Sequence, residues 1–277
     1  LSIAEHRKFW KEQIRLSKTK PSKNVKPLRY PHVPEMSYQH FIKRQLRKTV
    51  TEIRALIDPE ISLLVKAHKQ EMTIDASGDK ANEIFRQAQS QLLTGIEEQR
   101  LGIDLASQAQ QINYNNRLQL NRHFKQGLGI IPLAPEPWLA PLLGDFVTRN
   151  VMLIRSVEAE YIESVRKAVV LGVTDGKSVV AIKQDIIKIT GKSFRRAETI
   201  ARTETGKMFG ALTKSRNMAI GITEFIWHHT TLKNPRQQHL ANNNHKFNWT
   251  RGDINGDIPG SLYNCRCTST SDFSQLL

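Results

Sequence analysis

The chain has 277 residues, 39% hydrophobic and 24% charged, enough to bury a core in one or two domains. A formal net charge of +15 and an isoelectric point near 9.9 favour an acidic partner: nucleic acid, an anionic membrane or an acidic protein surface. No apolar run approaches the roughly 18 to 20 residues of a membrane span, and the first residues lack the apolar core of a secretory leader.

The chain opens on Leu1 rather than Met, as expected of a processed or partial chain. Residues 1–56 hold fourteen Lys/Arg against four Asp/Glu, so most of the excess charge lies in the first fifth of the sequence. Residues 1–16 predict a short basic helix carrying Ile3, Phe9, Trp10 and Ile14. Residues 17–36 contain Pro21, Pro27, Pro31 and Pro34 and predict an extended linker, because proline removes a donor and blocks helix. Residues 1–36 together are expected to form a basic arm outside any compact core. Arg7, Lys8, Lys11, Arg15, Lys18, Lys20, Lys23, Lys26 and Arg29 are its candidate contacts to DNA or to an acidic protein surface.

A helical part is expected over 37–175. Ser37 is placed as the cap of a helix to about Ile57, with Phe41, Ile42, Leu46, Val50 and Ile53 at helical spacing. Pro59 suits the first turn of another helix, with Ile61, Leu64 and Val65. Further helices are predicted near 79–101 and 103–126. The second is rich in Asn and Gln, which predicts wide exposure or a surface for another subunit, and Gly127 and Gly129 end it. Prolines 132, 135, 137 and 141 mark a break. A long helix follows near 142–171, closed by Gly172.

Residues 176–277 predict a small mixed domain. Ser178–Ile189 and Phe194–Ala219 read as two helices. Thr223–Thr231 is β-branched and aromatic and reads as a strand, followed by a short strand near 245–249 and a terminal strand around Cys265–Thr270. The fold class expected is α+β, mainly helical and then a small mixed C-terminal domain.

The phosphate-cradling glycine loop, His-Glu-x-x-His, Gly-x-Ser-x-Gly and Cys-x-x-Cys are all absent from the sequence. Three other features carry chemistry. Glu204 falls on an apolar stripe of Ala197, Ile200, Ala201 and Met208, where a buried carboxylate needs a cationic partner; the alternative is a position at the stripe's edge. Arg236 and His239, three apart, share one side of a turn and are free to pair with Glu204, or to be a solvated polar turn. Cys265 and Cys267 on a strand face one way and Arg266 the other. With His228, His229, His239 or His245 the two thiols offer zinc ligands, but Cys-x-Cys is a weak spacing, and two buried thiols with no cofactor are expected instead. Two cysteines one residue apart form no disulfide framework, which fits synthesis in a reducing cytoplasm. The Asp253–Asp257 stretch reads as an Asp/Asn/Gly turn rather than a calcium loop. Arg202, Glu204, Arg236, His239 and Arg266 are therefore expected to meet as a structural polar cluster.

Ile200-Ala201-Arg202-Thr203-Glu204-Thr205, Trp227, Arg236-Gln237-Gln238-His239, Pro259-Gly260 and Asn264-Cys265-Arg266-Cys267-Thr268 occur in an order that resembles the C-terminal domain of phage Mu F-like head morphogenesis (minor capsid) proteins. The resemblance covers about 176–270. It departs at Leu232-Lys233-Asn234, where family members often carry an Asp. It implies a few-copy, non-enzymatic protein of a tailed-phage virion, made in the host cytoplasm. Such a protein associates with the portal and other capsid proteins on the capsid interior during assembly; contact of the N-terminal arm with packaged DNA is expected from its charge, not from the resemblance. The alternative reading is an ADP-ribosyltransferase-like or metal-dependent enzyme domain carried on a phage protein.

Overall fold

The structure, a computed structural model, describes residues 2–22, 24–71, 79, 81–87, 90, 95–230 and 235–277. Five helices precede or flank a small sheet: α1 (Ile3–Leu16), α2 (His32–Glu71), α3 (Gly95–Leu128), α4 (Leu139–Thr174) and α5 (Val179–Ala219). Residues 81–87 are helical as well. Then come β1 (Glu224–His228), the short α6 (Gln237–Ala241), β2 (Lys246–Asn248), β3 (Thr268–Ser271) and a 3-10 turn (Phe273–Gln275). The sheet order is β2-β1-β3, antiparallel throughout, with Phe225 opposite Phe247 on one side and Ser271 on the other. This is the α+β class expected. No helix among the described residues is long and apolar enough to cross a membrane.

Several helices run through punctuation that the sequence suggested would stop them. α2 starts at His32, not after Ser37, and continues through Pro59. Pro34 falls in the first turn, where the missing amide has no helical partner to lose. Pro59 is flanked by Ile53, Ile57, Ile61 and Leu64, all buried, and that packing outweighs a proline penalty of about 3 kcal/mol. α5 passes through Gly191, and α4 passes through Gly172, since an interior glycine costs only about 1 kcal/mol relative to alanine. Gly172 instead admits the side chain of Ile182, which a Cβ would meet at 2.6 Å.

The contacts group the chain into two compact units that are not successive in sequence. The first comprises Leu1–Tyr38, Ala106–Val147 and Ala201–Leu277; the second comprises Gln39–Leu105 and Thr148–Ile200. The second unit is helical, with a core that includes Ile42, Leu46, Ile57, Val157, Tyr161, Val165 and Ile182. Inside it, Glu158 accepts from Thr49 Oγ1 at 2.9 Å and pairs with Arg155 at 2.9 Å. The first unit holds the sheet and an aromatic core of Phe225, Trp227 and Trp249, joined by Cys265 and Cys267.

Residues 1–36 belong to this first unit and are not a free arm. Trp10, Leu28 and Tyr30 are buried. The Leu28 amide donates to the Ser269 carbonyl at 3.1 Å and the Ser22 amide to the Gln126 carbonyl at 2.9 Å. Arg7 donates to Gly221 O, Thr223 Oγ1 and Gln275 Oε1 at 2.8–2.9 Å. The prolines do keep the segment extended, but three aromatic or aliphatic side chains and several backbone bonds suffice to lay it on the unit.

Two asparagines of α3 are turned inward, while Gln110, Gln111 and Gln126 are exposed as the polarity of the helix predicts. Asn113 and Asn116 are buried, and each accepts from the Arg216 guanidinium at 2.6 Å, while Glu136 pairs with the same arginine at 2.7 Å. Asn116 donates in turn to Thr213 Oγ1 at 2.7 Å. The polarity of α3 satisfies a buried charge.

Candidate functional site

The site is built in the first unit from four stretches: the start of α2, the middle of α5, α6, and the coil before β3. Two glycines on α5 make it possible. A Cβ on Gly206 would lie 2.9 Å from the Cys265 carbonyl oxygen, and one on Gly210 would lie 2.4 Å from that of Pro259. Their bare faces let the Pro259–Cys265 backbone lie directly on the helix. Gly260 takes a φ of +87° against Gly206, and Asn264 reaches a φ of 58°. The Asn264 amide donates to Thr203 Oγ1 at 2.9 Å, and its side-chain oxygen accepts from Arg202 Nη1 at 2.6 Å.

At the centre of the polar cluster is an acid that sequence reasoning placed in the linker. Glu35, buried in the first turn of α2, accepts from Arg266 Nη2 at 2.5 Å and Nε at 3.1 Å, and from Arg202 Nε at 3.3 Å. The Arg266 contact is bidentate, the strongest form of carboxylate recognition. Tyr30 packs its ring 5.4 Å from the Arg266 guanidinium carbon and donates its hydroxyl to the Arg202 carbonyl at 2.9 Å. Burial opposes ionisation of Glu35, but the hydrogen bond and charge of Arg266, with Tyr30 and Arg202, prevail and hold its carboxyl below the usual range. Burial, and then the Glu35 charge, push the Tyr30 phenol well up.

The five residues expected to meet are therefore distributed. Arg202 and Arg266 share Glu35. Glu204 is buried as the apolar stripe required, and Lys207, one turn on, bonds it at 3.0 Å. Arg236 donates to the Tyr263 carbonyl at 2.7 Å. His239 meets the two thiols. Its Nδ1 lies 3.6 Å from Cys265 Sγ and 3.3 Å from Cys267 Sγ, and all three residues are buried. The cysteines precede β3 rather than lying on it, yet their side chains share one side while Arg266 goes to Glu35. The Cys267 amide donates to Cys265 Sγ at 3.4 Å. The Cys267 thiol beside Cys265 pulls Cys265 down despite burial, helped by His239, and in turn Cys265, together with burial, pushes Cys267 up. Trp227 packs edge-on to His239 at 5.1 Å. A pocket of about 180 Å³ opens at this group, lined also by Arg236, Asn264 and Arg266.

The turn at Asp253 is an Asx turn: its Oδ1 accepts from the amides of Asn255 and Asp257, and Oδ2 from Asn242. Of the basic N-terminal residues, Arg7 is committed internally, whereas Lys8, Lys11, Arg15, Lys18, Lys20, Lys26 and Arg29 are exposed. Lys23 and the Leu232-Lys233-Asn234 stretch lie outside the described residues. Lys26 and Arg29 join Arg122 of α3 around a second, polar pocket of about 440 Å³.

Residues 163–270 match the family described as phage Mu protein F like protein. The matched region thus takes in α5, β1, α6, β2, β3 up to Thr270 and every residue of the thiol–imidazole group, but not Glu35. The chain is also similar to an uncharacterized protein of Haemophilus influenzae, 25% identical over 261 residues, 89% of this chain. The chain spans about half the length of that relative, 55% of it. No solved structure matches the chain.

Proposed function

We propose that the chain is a minor structural protein of a tailed-phage head. In this reading it associates with the portal and capsid interior during head assembly and contacts packaged DNA. The observation that carries the reading is the match of residues 163–270 to the phage Mu protein F like family. The domain acts as a structural element rather than an enzyme. In support, its charged groups Arg202 and Arg266 are spent on Glu35, from outside the matched region. DNA contact is supported by the exposed lysines of the N-terminal segment and by Lys26, Arg29 and Arg122 around one polar pocket. Such contacts position a backbone without reading sequence.

The test is a tagged chain in the phage that encodes it. It is expected in purified proheads and virions at low copy, with portal protein recovered alongside, and its deletion should stop production of infectious heads. A chain absent from both particles would overturn the reading. For DNA, replacing Lys26, Arg29 and Arg122 by Ala should lower the dependence of log affinity on log salt by roughly three, about one for each phosphate no longer neutralised. An unchanged slope removes this pocket from the DNA-binding surface.

A further inference from the structure

We propose that His239, Cys265 and Cys267 form a zinc site, with His239 Nδ1 and the two sulfurs as three ligands and the fourth position open to the adjoining pocket. The inference is independent of the head-protein reading.

Geometry is the first support. Tetrahedral zinc with Zn–S of about 2.3 Å and Zn–N of about 2.0–2.1 Å separates a sulfur from a nitrogen by about 3.6 Å. The separations in the structure are 3.6 and 3.3 Å, and the three donor atoms all lie within 4.8 Å of one another. A thiol–imidazole hydrogen bond explains one of these contacts but not both, because Nδ1 has a single lone pair or a single proton to offer. Two sulfurs converging on one ring nitrogen from the same side describe a face of a coordination tetrahedron.

The second support is the state of the imidazole. His239 is buried, and its Nε2 has no hydrogen-bond partner among the described residues. A metal-free histidine would leave one nitrogen orphaned at a cost and gain only one weak thiol hydrogen bond at the other. As a ligand it gains a strong bond at Nδ1, against which an unpaired Nε2–H is a small loss. The third support is the sulfur environment. The Cys267 amide donates to Cys265 Sγ, which stabilises negative charge on that sulfur, and Arg236 lines the same pocket. Two thiolates and a neutral imidazole balance a divalent ion, and soft sulfur ligands in a tetrahedral arrangement select zinc over calcium or magnesium.

The site would join α6 to the coil entering β3, 26 and 28 residues on, beside Trp227, which packs on His239 and shares a core with both cysteines. Three protein ligands with one open position leave room for water, since the pocket of about 180 Å³ admits several.

The experiment uses the full chain. Metal analysis after purification without chelator should find about one zinc per chain. Cobalt(II) added to metal-free protein should give the intense thiolate-to-cobalt charge-transfer absorption and the visible bands of a tetrahedral site. Changes to groups around a ligand already cost 10- to 100-fold in metal affinity, so Cys265→Ser, Cys267→Ser and His239→Gln should each weaken zinc binding by more than about 100-fold. Wild-type protein that gives no thiolate-to-cobalt band overturns the proposal whether or not the variants fold. So does zinc affinity that is the same in Cys267→Ser as in wild type.

Discussion

Cys265, Arg266 and Cys267 are consecutive, yet they serve two clusters of opposite character. Arg266 turns towards Glu35, where two guanidinium groups and a carboxylate satisfy one another and a tyrosine closes the face. The cysteines turn towards His239, where two sulfurs crowd one nitrogen and the other nitrogen has no partner among the described residues. A cluster that is complete by itself holds the fold together, and removing any member leaves a buried charge exposed to its penalty. A cluster of donors facing one point is complete only with something at that point. Alternation along three residues of extended chain is the whole device that separates the two roles.

The largest effect should come from breaking the complete cluster. Glu35→Gln keeps the shape and removes the charge that Arg202 and Arg266 share. The cost should be about 3 kcal/mol, at the low end of the range for a broken buried pair because both arginines keep some exposure. Denaturant unfolding of the full chain measures it. A loss below about 1 kcal/mol would place the pair among surface bridges and dissolve the contrast with the thiols.

How much of this was legible beforehand follows from the range of each interaction. Helical periodicity is local, so the helices and the late strands were readable, while their ends were misplaced where packing overrode single residues at Pro59, Gly172 and Gly191. The Mu F-like motifs were readable as an ordered set. Glu35 was not, because its partners lie 167 and 231 residues away and a lone glutamate after a proline carries no sign of either. The burial of Leu28 and Tyr30 was hidden for the same reason: four prolines and nine basic residues look like a tether whatever they rest upon. Cys-x-Cys with a distant histidine is weak spacing, and only the path of α6 and the pre-β3 coil brings the three together.

Acid should dissect the first unit in two steps. His123 is buried, and its Nε2 accepts from the Ser271 amide of β3 at 3.1 Å. Burial lowers its folded pKa to about 4, below the ordinary value of 6.5. The unfolded chain therefore takes up the proton first as pH falls. The stabilisation is fully present above about 6.5 and is lost progressively down to about 4, for a total of roughly 3 kcal/mol. Glu35 is also depressed, so its contribution is present above the ordinary carboxylate value and is lost only as pH falls further, through its folded pKa. His123→Gln, which keeps an acceptor and does not titrate, should flatten the upper limb of stability against pH. Glu35→Gln should flatten the lower limb alone. If His123→Gln leaves the profile between pH 7 and 4 unchanged, the assignment of that limb fails.

The smallest effect tests the contrast itself, and it depends on what the thiol group holds. In metal-free protein, Cys267→Ser exchanges one small buried side chain for another of similar shape. The hydroxyl can still approach His239 Nδ1, so the loss should be about 1 kcal/mol, well under that of Glu35→Gln. With zinc supplied in excess, wild type gains stability according to the logarithm of metal concentration over Kd, whereas the variant gains far less. The difference between the two proteins should therefore widen with added zinc, while the effect of Glu35→Gln stays constant. Unfolding curves of the three proteins with zinc and with chelator provide the comparison. A Cys267→Ser penalty that is large and independent of zinc would mean that the thiols hold the fold as Glu35 does. The two clusters would then be two versions of one device.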